Sequence, residues 1–253
     1  MDLAPLLLAA LGGGLVGFLL TLFGGGGSVL ATPWLIYVVG VADTHVAIGT
    51  SAAAVAVNAV TGLVAQARAG RVKWPCATVF ALTGLAGALI GAHLAQLVSG
   101  AALLTWFAVA MIAIAVSMLI PRKNQGDPAV HITWPIVARL APLGLAAGLA
   151  AGFFGIGGGF LIAPGLMAAS GMTLANAGAS SLVSVALFGS ATSLSYAAAG
   201  KVAWPLFAAL VAGGAVGTLV ALPLAKRLES RAPLARKLFA GLVIAVALYI
   251  LLR

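Results

Sequence analysis

The sequence predicts an all-α polytopic membrane protein made of two homologous halves. Three observations predict it: an extreme apolar composition, ten separated hydrophobic runs, and a glycine motif that occurs twice. Of 253 residues, 63% are hydrophobic and 7% charged, with a mean hydropathy of +1.19. A soluble domain carries about 25% charged residues, so this chain cannot keep its apolar surface from water without a lipid bilayer around it.

In the first half, apolar runs fall at about 3–23, 28–41, 46–67, 74–98 and 101–120; in the second, at about 134–154, 159–171, 175–199, 204–225 and 237–252. The first run follows Met1-Asp2 with no basic segment before it, which predicts a first span rather than a cleaved signal peptide. Most runs approach the roughly 20 residues that cross the hydrocarbon. The second run of each half is shorter. At about 1.5 Å per residue it reaches only about 20 Å, which predicts a half-helix or re-entrant arm. Trp74-Pro75, Trp134-Pro135 and Trp204-Pro205 each open a run, with proline in a first helical turn and tryptophan at the membrane interface. The expected architecture is about eight full spans plus two short or re-entrant segments. Repeat one covers 1–120, a polar linker 121–133, and repeat two 134–253.

The duplication is explicit. Phe23-Gly24-Gly25-Gly26-Gly27-Ser28-Val29-Leu30-Ala31-Thr32-Pro33 matches Phe154-Gly155-Ile156-Gly157-Gly158-Gly159-Phe160-Leu161-Ile162-Ala163-Pro164 at six of eleven positions, 131 residues on. Ala69-Gly70-Arg71-Val72-Lys73-Trp74-Pro75 matches Ala199-Gly200-Lys201-Val202-Ala203-Trp204-Pro205 at five of seven. With an odd number of crossings per half, loops 68–73, 122–139 and 226–237 share one side and hold eleven of the thirteen basic residues. Only Lys201 and Arg253 fall opposite. The positive-inside rule then predicts inverted repeats with both termini outside. Net charge +9 is thus a topology signal, and no nucleic-acid partner is expected.

Glycine interrupting corresponding hydrophobic segments of two repeats points to a solute permease with its site between them. Four consecutive glycines should break a helix, and freed backbone groups at membrane depth are tolerated where they line a cavity or are buried in protein. A helix restarting near Ser28 and near Gly159 would aim N–H groups and a positive dipole end inward, as an anion site does. The other reading is close helix packing by small residues. Gly49-Thr50-Ser51 aligns with Gly178-Ala179-Ser180, with Asn58, Asn176, Ser181 and Ser184 nearby. Their hydroxyls and amides can donate to an oxyanion, or bond their own helix carbonyls. Candidate substrate-binding residues are therefore Gly24, Gly26, Gly27, Ser28, Thr50, Ser51, Asn58, Gly155, Gly157, Gly158, Gly159, Asn176, Ser180 and Ser181.

The acidic residues, Asp2, Asp43, Asp127 and Glu229, all lie outside the spans. Cation pumps and proton relays usually place them inside, so metal transport is not expected. The single cysteine, Cys76, excludes a disulfide framework. No His, Cys or carboxylate constellation suggests an enzyme, and no cofactor is expected. His93 is a candidate proton shuttle or a structural histidine; His45 is a candidate gate or an interfacial residue. Tryptophans 34, 74, 106, 134 and 204 read mostly as interface anchors.

On FGGGGSVLATP and FGIGGGFLIAP, the chain resembles the TauE/SafE family of sulfite exporters and sulfonate permeases over essentially its whole length. The resemblance implies a bacterial inner-membrane permease for a small sulfur-containing anion such as sulfite, thiosulfate or an organosulfonate. It puts weight on Gly24, Gly26, Gly27 and Pro33, and on Gly155, Gly157, Gly158, Gly159 and Pro164. Ser28 departs from the glycine kept at Gly159. The implied partners are that anion and the lipid bilayer, with H+ or Na+ as coupling ion and a homodimer as further expectations. A passive anion channel and an uptake permease for another small organic anion are the alternatives.

Overall fold

A computed structural model describes residues 3–119, 126–155, 159–228 and 232–252. Ten α-helices occur among them: α1 (Leu3–Phe23), α2 (Ala31–Tyr37), α3 (Thr44–Arg68), α4 (Trp74–Gln96), α5 (Gly100–Leu119), α6 (Trp134–Phe154), α7 (Gly159–Ser170), α8 (Leu174–Ala198), α9 (Trp204–Leu228) and α10 (Ala232–Leu251). A 3-10 segment, Gly24–Leu30, joins α1 to α2. No strand forms among the described residues; one isolated bridge pairs Asp127 with Met172. Six helices, α1, α3, α4, α6, α8 and α9, are long and apolar enough to cross a membrane, and shorter apolar helices accompany them.

Helix ends follow local chemistry. Asp43 caps α3 by accepting from the His45 N–H at 2.8 Å, and Thr173 caps α8 through the Asn176 N–H at 3.3 Å. Both supply an acceptor to an otherwise orphaned donor. Pro75 and Pro135 occupy first turns, where no N–H is needed. Gly70 (φ 69°) and Gly200 (φ 70°) end α3 and α8 in the left-handed conformation, which glycine adopts without Cβ strain.

The two halves interleave. α1 packs along α9, α4 along α6, α3 along α8, and α5 against α10. Glycine makes the first two pairs close. A Cβ on Gly13 or Gly17 would strike the backbone of Leu210 or Gly214, and one on Gly213 or Gly217 would strike Ala10 or Gly14. Likewise Gly144, Gly148 and Gly152 abut the backbones of Phe80, Gly84 and Ala88. Contacts advance together in both pairs, so α1 runs parallel to α9, and α6 parallel to α4. In α3 and α8, Gly49 meets Tyr196, Gly189 meets Ala52 and Ala56, and Gly62 meets Leu182. Those two helices are antiparallel.

α3 and α8 form the buried centre. The main core gathers Val55 and Ala59 of α3, Phe80 of α4, Leu140 of α6, Leu166 of α7, and Leu182 and Phe188 of α8. Leu3, Leu7, Leu11, Leu82, Leu89, Val216, Leu219 and Val220 stay exposed on the outer helices, an apolar area that suits contact with lipid. Trp74, Trp106, Trp134 and Trp204 are exposed with them. Trp34 differs from its expected anchoring role: its Nε1–H donates to the Leu8 carbonyl at 2.8 Å, and its ring fills the space a Cβ on Gly12 would need.

Candidate functional site

The first glycine run does end the α-helix, at Phe23, as expected. Gly24–Leu30 continues as a 3-10 segment and α geometry resumes at Ala31. Seven residues is long for 3-10 geometry, in which runs beyond three or four residues are uncommon. The expectation of a free helix N-terminus at Ser28 is therefore corrected, because the preceding turn is already helical. Gly27 lies so close to α1 that a Cβ would meet the Leu20 backbone N, whereas Trp34 sits beside Gly12 and Leu8. The 3-10 segment and α2 thus fold back along α1, a return arm.

The break also lies at depth. Gly17 meets Gly214, which sets Gly24 level with Ala221. α9 continues seven residues further to Leu228, about 10 Å at 1.5 Å per residue.

In the second half α6 ends on Gly155, whose φ of 66° is left-handed and whose N–H donates to Ala151 O at 3.0 Å. A Cβ there would strike the Ile48 side chain. α7 opens at the buried Gly159, as expected; Gly157 and Gly158 lie outside the described residues. The 3-10 segment packs against both α7 and α8, so the two copies of the motif meet between the halves.

The hydroxyl-bearing residues divide into two sets. Thr50 accepts the Ala203 N–H and Ser180 accepts the Lys73 N–H, each at 2.9 Å. Ser51 donates to Ile48 O at 3.0 Å and Ser181 to Gly178 O at 2.7 Å. These paired bonds align Thr50 with Ser180 and Ser51 with Ser181, one residue away from the alignment drawn from the sequence. The Trp74/Trp204 spacing of 130 residues already carried that register. Thr50 and Ser180 satisfy the orphan N–H at the entrances to α9 and α4. Ser51 is also within 2.7 Å of Thr32 Oγ1, which binds the return arm to α3. Ser28 is fully buried in that arm.

Asn58 is buried with its amide against Gly214. Its Nδ2 reaches Leu210 O at 3.5 Å, and its Oδ1 has no partner. Asn176 is not drawn into the cluster. Its Nδ2 donates to Pro128 O at 3.2 Å, securing the linker at the start of α8. His93 is exposed on α4.

Charge sits at the helix ends. Lys201 and Asp43 pair at 2.6 Å, both about two-fifths exposed. The Lys201 hydrogen bond holds the Asp43 carboxyl below its ordinary range, against the opposing effect of partial burial. His45 stacks on Tyr196 beside this pair, 6.0 Å between ring centroids. No group of three metal-ligating side chains occurs among the described residues.

Long apolar helices enclosing a core of uncharged polar groups define a multi-pass membrane transport protein of a bacterial cell membrane. Residues 9–250 match the family model described as sulfite exporter TauE/SafE, and the chain belongs to that family. It is 43% identical to a "Probable membrane transporter protein" of Xylella fastidiosa strain Temecula1, covering 100% of this chain and 97% of the relative. Bacillus subtilis strain 168 has a "Probable membrane transporter protein YunE" that is 25% identical, over 83% of this chain and 85% of its own. No solved structure matches.

Proposed function

We propose that this protein is a secondary permease that exports a small sulfur-containing anion, such as sulfite, thiosulfate or an organosulfonate. The observation that carries the reading is the meeting of the two motif copies between the halves, the 3-10 segment of one against α7 of the other. In this reading Gly24, Gly26, Gly27 and Ser28 bind the anion from one half, and the second copy of the motif, from Gly155 to Gly159, binds it from the other. Ser51 and Ser181 supply hydroxyl donors by turning their protons from Ile48 O and Gly178 O to the anion. Backbone N–H groups and hydroxyls suit an oxyanion because they bind it without a fixed counter-charge that would hold it too tightly. Asn58, Thr50, Ser180 and Asn176 support the surrounding helices. Membership in the sulfite exporter family supports the substrate class.

The same reading makes 1–120 and 134–253 inverted repeats, each with an odd number of crossings and a short return arm beside them. Support comes from α1 lying parallel to α9 and α6 parallel to α4, while α3 and α8 are antiparallel. An odd number of crossings also keeps eleven basic residues on one face. Alternating access would follow from rocking one half against the other.

Uptake of labelled sulfite by proteoliposomes, competed with thiosulfate, sulfoacetate, taurine and chloride, tests this. Saturable flux blocked by sulfur anions and not by chloride is expected. Ser181→Ala should raise KM about tenfold with folding intact, the cost of about one hydrogen bond to a charged group. Flux that never saturates would make the protein a channel, and no flux above empty liposomes would remove the substrate assignment.

A further inference from the structure

Where α1, α3 and α9 cross, three polar side chains gather at membrane depth. Thr21 of α1, Asn58 of α3 and Thr218 of α9 are each 2% exposed. Thr21 Oγ1 donates to Gly17 O at 2.8 Å, and Thr218 Oγ1 reaches the same carbonyl at 3.4 Å. Gly17 rests on the Gly214 backbone, and the Asn58 amide fills the space a Cβ on Gly214 would need. All three side chains therefore sit within about one helical turn of Gly214. Asn58 Oδ1 is buried with no partner. An unpaired carbonyl in an apolar medium is costly.

The fold does not require this polarity. The corresponding crossing of α6, α8 and α4 uses the same glycine contacts, Gly148 on Gly84. There the equivalents of Thr21, Asn58 and Thr218 are Gly152, Phe188 and Ala88. Phe188 takes the place of Asn58 against Gly84. One crossing is apolar and the other collects oxygens, so packing alone does not account for the polar one.

We propose that Thr21, Asn58 and Thr218 bind a small monovalent cation, sodium by size and hardness. Hard cations take oxygen ligands. Each threonine hydroxyl can keep its proton on Gly17 O while turning a lone pair to the ion, and Asn58 Oδ1 supplies a third oxygen. No carboxylate lies in α1, α3 or α9, so the neutral oxygen set favours a monovalent ion over a divalent one, whose dehydration needs anionic ligands. A coupling role for the cation rests on the anion-permease reading; its binding does not.

Thermal unfolding of the detergent-solubilised protein in sodium, potassium or choline chloride at equal ionic strength tests the site without any anion flux. Sodium should raise Tm by about 3–5 °C over choline if it binds the native state alone. Thr218→Ala copies the residue already present at Ala88 and should weaken the sodium effect about tenfold in concentration; Thr21→Ala should do the same. Absence of a sodium-specific shift, or a shift that both variants retain, overturns the proposal and leaves a buried water as occupant. A sodium shift in a protein that moves no sulfur anion would keep the cation site and remove the permease substrate instead.

Discussion

At the scale of single residues, Asp43 does two separable things. It caps α3 through the His45 N–H and pairs with Lys201 of the other half. Asp43→Asn keeps a capping oxygen and loses only the ion pair. Because both partners are substantially exposed, that pair contributes about 0–1 kcal/mol. Asp43→Ala also removes the cap, at a further cost of about 1 kcal/mol. The Asp43 pKa is lowered in the folded state, so its contribution is present above the unfolded carboxyl pKa and lost as pH falls through the folded one. Thermal unfolding across pH should show Asp43→Asn below the native protein at neutral pH, with the gap closing in acid. The sequence exposed Asp43 and Lys201 as end-of-helix charges but not their meeting across 158 positions. Nor did it single out Thr21 and Thr218, although comparing the halves position by position contains that signal.

At the scale of elements, the same residue type serves opposite purposes. Gly17 and Gly148 allow backbones to touch, so Gly17→Leu or Gly148→Leu should cost about 3 kcal/mol or more, the upper range for overpacking. Gly241 lies in α10 with open space around it; Gly241→Ala should stabilise by about 0.5–1 kcal/mol through helix propensity. Chemical denaturation of the three variants checks both signs. The first short run was legible as an arm because 14 residues cannot span alone. Propensity predicts that four glycines break a helix, and α1 does end at Phe23; the 3-10 winding of the segment that folds back beside it was not legible.

At the scale of the whole molecule, the interleaving of the halves fixes their relative orientation. The proposed inverted repeats place Arg71 and Lys201, which correspond between the halves, on opposite faces of the membrane. With Cys76→Ser as background, single cysteines at 71 and 201 should react with an impermeant maleimide from opposite sides: 201 in intact cells, 71 only after permeabilisation. Labelling of both from one side would return the halves to parallel repeats. The charge pattern predicted that arrangement because eleven of thirteen basic residues collect on one face only when each half crosses an odd number of times.

The sequence by itself determined the membrane class, the helix boundaries to within a few residues, the duplication, and the family. Each of these depends on composition, periodicity or local motif, which the chain carries one residue at a time. Tertiary structure alone decided which helices pair and the winding of the first glycine run. It also decided the orphaned Asn58 oxygen against Gly214. Those depend on contacts between segments far apart in the chain, where the shape of one glycine surface selects its partner, and no local pattern encodes that choice.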